Sequence, residues 1–525
     1  MTVMARRPID LDALTMDAIS AGDLRDRPVT VLGLARSGLA LARFFADAGA
    51  HVTVFDGRPA DDLATAIADL EGRPVRLSLG PDVDPASTWA DAELVATSPS
   101  ITPDFPTTEP RLRAQLRALV DAREGGDATT PALVSEADLF LRLCPSPTVG
   151  VTGTKGKTTT ASLIAALLGA DIAHPVVLGG NIGTPIVERL VELTPRHRVV
   201  DELSELQLPT LSRGTTVAAY TNVTSDHLDR HGSLEGYRRV KHRLAELVDP
   251  RGALILNLED PVVASYAGDA RARVVGYRRG VPPAGGVDVA EGWIIADGLA
   301  RLEVAGSIAQ SGPAFAGPVM PVDELAIPGR HNVSNALAAV AVALAFGVDV
   351  AGIRAAAGAF TGVEHRLETV AVIDGVRFVN DSQGTQPDAV IAALRAFEPP
   401  IVLIAGGRDK DIDLSALPPV VAERAVAAVL IGESGPDLGA RFRAAGLART
   451  EPARDLPTAI RAADELAHTA LAGLPRRTGT APTATVLLSP AAASFDMFDD
   501  YAARGRAFKA AVAELARQRA GEGRS

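Results

Sequence analysis

Cysteine is nearly missing from this chain: Cys144 is the only one in 525 residues. That excludes an intramolecular disulfide and a cysteine zinc centre and fits a reducing compartment; Cys144 itself reads as a small buried hydrophobe. Aromatic residues make up only 4%. Basic residues are outnumbered, 52 Lys and Arg against 64 Asp and Glu, for a net charge of −12. Such a chain offers no general field for a nucleic-acid backbone, although local basic clefts for a small anion are compatible with it. Long apolar runs are absent too. The longest, Ala336 to Val348 ("ALAAVAVALAFGV"), falls short of the roughly 20 residues of a membrane-spanning helix and reads as a buried helix. The N-terminus lacks the apolar core of a secretory signal, so residues 1–27 read as a frayed extension and the protein as cytoplasmic, with no membrane insertion.

What is present points to a soluble enzyme. Apolar residues reach 47% and charged residues 22%, and the length exceeds what one core serves. Short Val/Ile/Leu runs alternate with helical stretches, which indicates an α/β class with parallel sheets. The first unit is "VTVLGLARSGLALARFFADAGAHVTVFDGRP". It reads as a strand (Val29 to Leu32), a glycine turn (Gly33 to Gly38), a helix (Leu39 to Ala48) and a second strand ending before Asp56, a Rossmann-type βαβ unit. The middle glycine of G-x-G-x-x-G is missing, so a nucleotide-shaped ligand is expected here rather than a redox dinucleotide. Asp56 either binds a ribose or caps the turn. "PALVSEADLF" (Pro131 to Phe140) marks passage into a second domain, and "FTGVEHRLETVAVIDGVRFVN" the entry to a third, with a hinge near Gly362. The expected organisation is residues 28–131, 132–362 and 363–525. A polar insert, "LAGLPRRTGTAPTAT", precedes the last strand.

The stretch "GVTGTKGKTTT", Gly150 to Thr160, carries the strongest chemistry. A strand running into a glycine-rich turn and then a helix converges backbone N–H groups on an anion, and the helix N-terminus adds its field. Gly153, Thr154, Lys155, Gly156, Lys157, Thr158 and Thr159 form this cradle, with Lys157 reaching the terminal phosphates and Thr158 holding Mg²⁺. The full G-x-x-x-x-G-K-[ST] pattern fails at Val151, and an ordinary glycine-rich turn with exposed lysines is the competing reading. Glu202, just after a Val-Val pair, could meet the same ion. Further on, "TSDHLDRHGSLEGYRRVKHRL" supplies His227 and Lys241, each of which alone reads as surface.

These stretches, together with "GGNIGTP", "ELSELQL", "IPGRHNVSNALAA", "HRLE", "NDSQGTQPDA" and "LLSPAAASFDMFDDYAARGRAF", occur in the order found in the Mur ligase family, which the chain resembles from Pro28 to its final helix. "VLGLARSG", "TSPSI" and "LSPAAASFDMF" look most like the branch that adds D-glutamate to UDP-N-acetylmuramoyl-L-alanine. The resemblance implies three domains: a Rossmann-like N-terminal domain for the UDP-substrate, a central P-loop ATPase domain with a mostly parallel sheet, and a Rossmann-like C-terminal domain for the amino acid. It implies an ATP-dependent amide ligase of peptidoglycan precursor synthesis, acting as a monomer through an acyl phosphate. ATP and Mg²⁺ at two sites are implied as well. By motif, Lys157 would stabilise the γ-phosphate, Thr158 and Glu202 would hold one Mg²⁺, and His227 would help hold the second with a carbamylated Lys241. Asn332, Asn335, Arg366 and Asp381 fall near ATP. Leu34, Ala35, Arg36, Ser37, Asp56, Arg58, Ser100, Asn181, Ser204 and Gln207 fall near the UDP-substrate, and Gln383, Thr385, Lys410, Ser494 and Phe495 near glutamate.

Some positions depart from the family pattern. Gln383 stands where lysine is usual, which weakens a dicarboxylate site and keeps open a related ligase for L-glutamate or another amino acid. Ser100 replaces a glycine in the Ser-Pro-Gly turn. Asp201, where an apolar residue is usual, reads as a strand-end carboxylate in solvent or an extra group near the metal. A P-loop protein that ligates nothing is the rival from another class; it would leave Glu202, His227 and Lys241 without a common purpose.

Overall fold

The computed structural model describes residues 8–224, 228–280, 284–303, 314–327, 329–408, 413–473 and 483–522. Runs rich in Val, Ile, Leu and Ala form its strands, and most are buried on both faces, as parallel sheets under helices require. The chain divides into two compact units, one ending at Phe360 and one beginning at Thr361.

The first unit holds two sheets. Strands β1 (Pro28–Leu32), β2 (His51–Asp56), β3 (Val75–Leu79), β4 (Leu94–Thr97) and β5 (Ala132–Ser135) pair in parallel in the order β3-β2-β1-β4-β5. The order reverses at β1, so a crevice opens beyond the carboxyl ends of β1 and β4. The second sheet contains β6 (Thr148–Thr152), β7 (Val176–Gly180), β8 (Arg198–Glu202), β9 (Val217–Tyr220), β10 (Ala253–Asn257), β11 (Arg273–Arg278), β12 (Gly286–Ala290), β13 (Trp293–Leu299) and β14 (Phe315–Pro321). Its order is β14-β13-β12-β11-β10-β9-β6-β8-β7, parallel up to β12 and antiparallel beyond it. The alanine-rich run expected to be a buried helix lies in the helix Arg330–Ala345, whose residues from Asn335 onward are all buried. Its small side chains let it pack closely against the helix Lys157–Leu168.

The second unit has one sheet: β15 (Glu368–Ile373), β16 (Val376–Asn380), β17 (Ile401–Gly406), β18 (Ala425–Ile431), β19 (Thr450–Pro452) and β20 (Ala484–Leu488), in the order β15-β16-β20-β17-β18-β19. Only β15 runs antiparallel. Most of the polar insert, residues 474–482, lies outside the described residues.

Two local expectations need correction. The first helix spans Arg36–Asp47 and so begins three residues before Leu39. Gly38 belongs to its first turn, where a Cβ would lie 1.8 Å from Gly33 O; that glycine serves close packing rather than the bend. The N-terminal extension is not frayed from residue 9 on. Ile9, Leu14, Ile19 and Leu24 are buried in the first unit's core, Ile9 N donates to Glu93 O, and Thr15 caps the short helix Met16–Ala21. Asp12 accepts from Arg142 Nη1 (2.8 Å) and Arg213 Nη2 (3.1 Å). The aspartates scattered between these apolar anchors are what disguise the segment as a loose tail. No helix among the described residues is long and apolar enough to cross a membrane.

Candidate active site

The phosphate loop follows β6. Gly153 (φ +147°) and Gly156 (φ +85°) take conformations that L side chains rarely adopt, and Gly156 is the N-cap of the helix Lys157–Leu168. Gly156 has no side chain to cap that helix, which leaves its first N–H groups facing the loop as an anion site. A Cβ on Gly156 would stand 2.7 Å from Asn335 Oδ1, so the helix Arg330–Ala345 delivers Asn335 to the loop. Asn335 Nδ2 in turn donates to Asn332 Oδ1 at 3.0 Å. Gly156→Ala is expected to raise the KM for ATP about tenfold and to cost roughly 1–2 kcal/mol, read from ATP kinetics and thermal unfolding.

The end of β9 holds this loop. Thr154 N donates to Asn222 O (2.7 Å), Lys155 N to Asn222 Oδ1 (2.9 Å), and Thr221 Oγ1 to Lys155 O (2.7 Å). The Thr154 hydroxyl pairs with Tyr237 OH at 2.9 Å. Sequence reasoning missed Thr221, Asn222 and Tyr237, although the polar Thr-Asn pair ending the apolar "VAAY" run was the available signal. Lys157 Nζ donates to Thr154 O at 3.0 Å and so already lies over the loop.

β6, β8 and β9 are adjacent parallel strands, and their carboxyl ends carry the remaining groups. Lys241, from the helix Leu234–Leu247, is fully buried; its Nζ donates to Thr152 Oγ1 (3.2 Å), which donates to Leu203 O (2.8 Å). Glu202 is buried; its Oε1 accepts from Asn181 Nδ2 at 3.0 Å, while Oε2 has no hydrogen-bond partner among the described residues. Thr158 is buried in the first turn of the phosphate-loop helix. An orphaned carboxylate oxygen and a hydroxyl beside a phosphate cradle are hard oxygen donors, the set Mg²⁺ takes. Among the described residues no three His, Cys, Asp or Glu side chains cluster as a metal site. His227 lies outside the described residues.

Asp201 is not in solvent. Strand alternation turns it away from Glu202, to the face it shares with Val199, and a Cβ on Gly180 would meet its Oδ1 at 2.1 Å. It is fully buried, and neither oxygen has a hydrogen-bond partner among the described residues. Burial, with the nearby charges of Glu136 and Glu202, pushes its pKa up to about 8. Glu136, buried at the start of the helix Glu136–Leu143, is pushed up to about 7, chiefly by burial, although Val187 N donates to its Oε1 at 3.2 Å.

In the first sheet Asp56 caps the turn: Leu34 N donates to its Oδ2 at 2.8 Å. Arg58 binds it through the backbone N and Nε (both 3.0 Å) and Nη2 (2.8 Å). Burial works against the Asp56 charge, but the Arg58 and Leu34 donors hold its pKa below the usual carboxylate value. The Leu34 side chain is buried, Ala35 and Arg36 are exposed, and Arg36 Nη1 donates to Gly183 O at 2.9 Å. Ala35 at the N-cap and Ser37 in the first turn leave that helix start uncapped. A cavity of about 370 Å³ opens beside this turn, bounded by Gly33, Asp56, Ser100, Glu109, Leu206 and Arg230 among others. Glu109, Leu206 and Arg230 were not foreseen. Ser204 and Gln207 sit in the loop after Glu202, Ser204 N and Oγ both donating to Gln207 Oε1 at 2.9 Å.

Within the second unit, Arg366 and Asp381 come together. Leu367 N donates to Asp381 Oδ1 (3.2 Å) and Ser489 Oγ to Oδ2 (2.6 Å). Burial pushes Asp381 up to about 6 against those donors and the Arg366 charge. Gln383 and Thr385 follow β16, and Ser494 and Phe495 follow β20; Ser494 is buried and Phe495 is exposed. Lys410 lies outside the described residues.

Comparison with known proteins agrees with this arrangement. Residues 151–343 match the Mur ligase middle domain, and residues 365–473 match the Mur ligase glutamate ligase domain. The UDP-N-acetylmuramoylalanine--D-glutamate ligase of Symbiobacterium thermophilum is 37% identical over 495 residues, covering 94% of this chain and 100% of that protein. Those of Pelotomaculum thermopropionicum and Caldanaerobacter subterraneus are 37% and 33% identical, each over 94% of this chain and 99% and 100% of their own. With matches of that extent, over a phosphate loop built as described and nearly the whole length of the D-glutamate ligases, the chain belongs to the Mur ligase family.

Proposed function

We propose that the protein joins D-glutamate to UDP-N-acetylmuramoyl-L-alanine with cleavage of ATP to ADP and phosphate, in peptidoglycan precursor synthesis in the cytoplasm. The observation that carries this reading is similarity along nearly the whole chain to D-glutamate ligases. The boundary expected at residue 131 falls before β5, which pairs with β4 in the first sheet; we therefore read residues 28–135 as the UDP-substrate domain, 136–362 as the ATP domain and 363–525 as the amino-acid domain. A carboxylate is a poor electrophile, and its phosphorylation supplies a leaving group. The amine then attacks the acyl phosphate, and the tetrahedral adduct collapses to the amide with loss of phosphate.

In this reading the uncapped helix start after Gly156 and the Lys157 ammonium receive the ATP phosphates, and Asn332, Asn335, Arg366 and Asp381 bind the nucleotide. Thr158 and Glu202 hold one magnesium ion, and Lys241 with His227 a second. Bound magnesium neutralises charge on the transferring phosphoryl oxygens. The enclosed Lys241 is poised to lose its positive charge by carbamylation, which would give it oxygen donors. Leu34 to Ser37, with Asp56, Arg58, Ser100, Asn181, Ser204 and Gln207, bind the UDP-substrate. Gln383, Thr385, Lys410, Ser494 and Phe495 bind glutamate.

The test is phosphate release with Mg-ATP and UDP-N-acetylmuramoyl-L-alanine in the presence of D-glutamate, L-glutamate or no amino acid, with the product weighed by mass spectrometry. Release that depends on D-glutamate and a product longer by one residue are expected. Preference for the L isomer would move the reading to a sister ligase with Gln383 as its cause, and release indifferent to amino acids would end it. Lys241→Ala is expected to abolish ligation on the order of 10²–10³-fold and to recover part of it with added acetate, which returns carboxylate oxygens to the gap.

A further inference from the structure

Arg504 stands in the first turn of the helix Tyr501–Glu522 and is 1% exposed. An arginine that deep ordinarily meets a carboxylate, because its charge cannot be shed near neutral pH. Here every hydrogen-bond acceptor among the described residues is neutral. Nε donates to Ser382 Oγ (3.0 Å), Nη2 to Ser382 O (3.0 Å) and Ala492 O (3.3 Å), and Nη1 to Ala493 O (3.2 Å). Asp496 acts on it only from a distance, and its Oδ2 accepts instead from Glu433 N at 3.0 Å. Burial lowers the guanidinium to about 10, which still leaves it charged at neutral pH.

These acceptors belong to the loops that leave β16 and β20. A third loop, after β17, is drawn into the same clasp. Arg408 N donates to Ala493 O (2.9 Å) and Ala493 N to Arg408 O (3.2 Å). A Cβ on Gly407, at φ +146°, would meet Ala493 O at 2.1 Å and Arg504 Nη1 at 3.2 Å. Because β16, β20 and β17 are parallel neighbours, their loops open at one edge, the carboxyl edge at which α/β sheets bind ligands. Gln383, Thr385 and Ser494 stand on those loops. Gln383 Oε1 is buried there without a donor among the described residues, an acceptor suited to an ammonium group.

We propose that Arg504 is a positioning residue of the amino-acid site: its guanidinium fastens the loops after β16, β17 and β20 into one edge, and its unneutralised charge favours an amino acid with an acidic side chain. This rests on the ligase reading above. Gln383 brings no charge of its own, so a fixed cation behind the loops supplies attraction that a surface lysine would supply elsewhere. In a low-dielectric interior that attraction reaches past the loop backbone to a carboxylate it does not touch.

The test uses the full-length protein with Arg504→Met, Arg504→Lys and Ser382→Ala, assayed by phosphate release at saturating ATP and UDP-substrate with D-glutamate or D-glutamine varied. Arg504→Met is expected to raise the KM for D-glutamate at least about tenfold, with the KM for ATP changed less than about twofold. Its preference for glutamate over glutamine should shrink at least about threefold, while Arg504→Lys and Ser382→Ala keep that preference and Ser382→Ala raises the KM about two- to fivefold. Loosening alone would raise the KM for both amino acids equally, so an intact preference in Arg504→Met overturns the electrostatic role, and an unchanged KM overturns both. If Arg504→Met does not fold, an unchanged KM in Ser382→Ala and Arg504→Lys overturns the clasp. Wild-type protein without amino-acid-dependent release refutes the ligase reading and this role with it, whereas normal wild-type ligation with indifferent variants refutes the role alone.

Discussion

Lys157→Ala is expected to lower kcat for amide formation on the order of 10³-fold, with the thermal unfolding midpoint moved by less than about 2 °C. The side chain is half-buried and contributes one hydrogen bond among the described residues, to Thr154 O, so the fold loses little when it is removed. Chemistry loses much more. In phosphoryl transfer the protein's work is to place and neutralise oxygens that gain or redistribute charge, and a lysine at the start of an uncapped helix adds a full charge to the partial charge already there. Lys157→Arg should recover only part of the rate, because a planar fork does not reproduce a compact ammonium. Steady-state phosphate release beside a melting curve decides it; a kcat within about tenfold of wild type would remove Lys157 from the reaction.

Asp201→Asn is expected to stabilise the protein most at alkaline pH and markedly less near pH 5. The carboxyl is fully buried without a hydrogen-bond partner among the described residues, and its pKa is displaced upward from 3.8 to about 8 in the fold. The native state therefore holds a proton that the unfolded chain has released. No penalty exists below about pH 4, where both states are protonated; it grows as pH rises and is complete once pH passes the folded value. Each unit of displacement corresponds to about 1.4 kcal/mol, and relaxation around a buried charge reduces the total to a few kcal/mol. Asparagine keeps the shape and cannot ionise. Melting midpoints from pH 5 to pH 9 should therefore show a gap between variant and wild type that widens by several degrees toward pH 9. A gap independent of pH would mean that Asp201 is ionised, or shielded, throughout.

The α/β class and the phosphate loop were legible because both write themselves into local sequence. β-branched runs separated by helical stretches specify parallel strands, and glycines at positive φ with a lysine specify an anion cradle. The groups that brace the loop were harder to read. Thr221 and Asn222 act through backbone atoms, and Tyr237 through the Thr154 hydroxyl, of residues more than sixty positions away, and a threonine or asparagine at a strand end looks the same whether or not a second strand lies alongside. Asp201 shows the complementary failure. An acid between Val200 and Glu202 has every appearance of a strand end, and only the pairing of β8 between β6 and β7 places it inside. The extension misled for a third reason. Its buried anchors fall at 9, 14, 19 and 24, a spacing that matches neither helix nor strand, so no periodicity announced them.

That anchored extension bears on how the protein tolerates trimming. Cutting the chain back to Pro28, where regular strand structure begins, would strip Ile9, Leu14, Ile19 and Leu24 from the core they fill and leave Arg142 and Arg213 without Asp12. The apolar surface so bared would lose its cover, and the shortened protein would bury it by sticking to its own kind. A protease added to the intact protein, by contrast, should find residues 9–24 poor prey despite their place near a terminus.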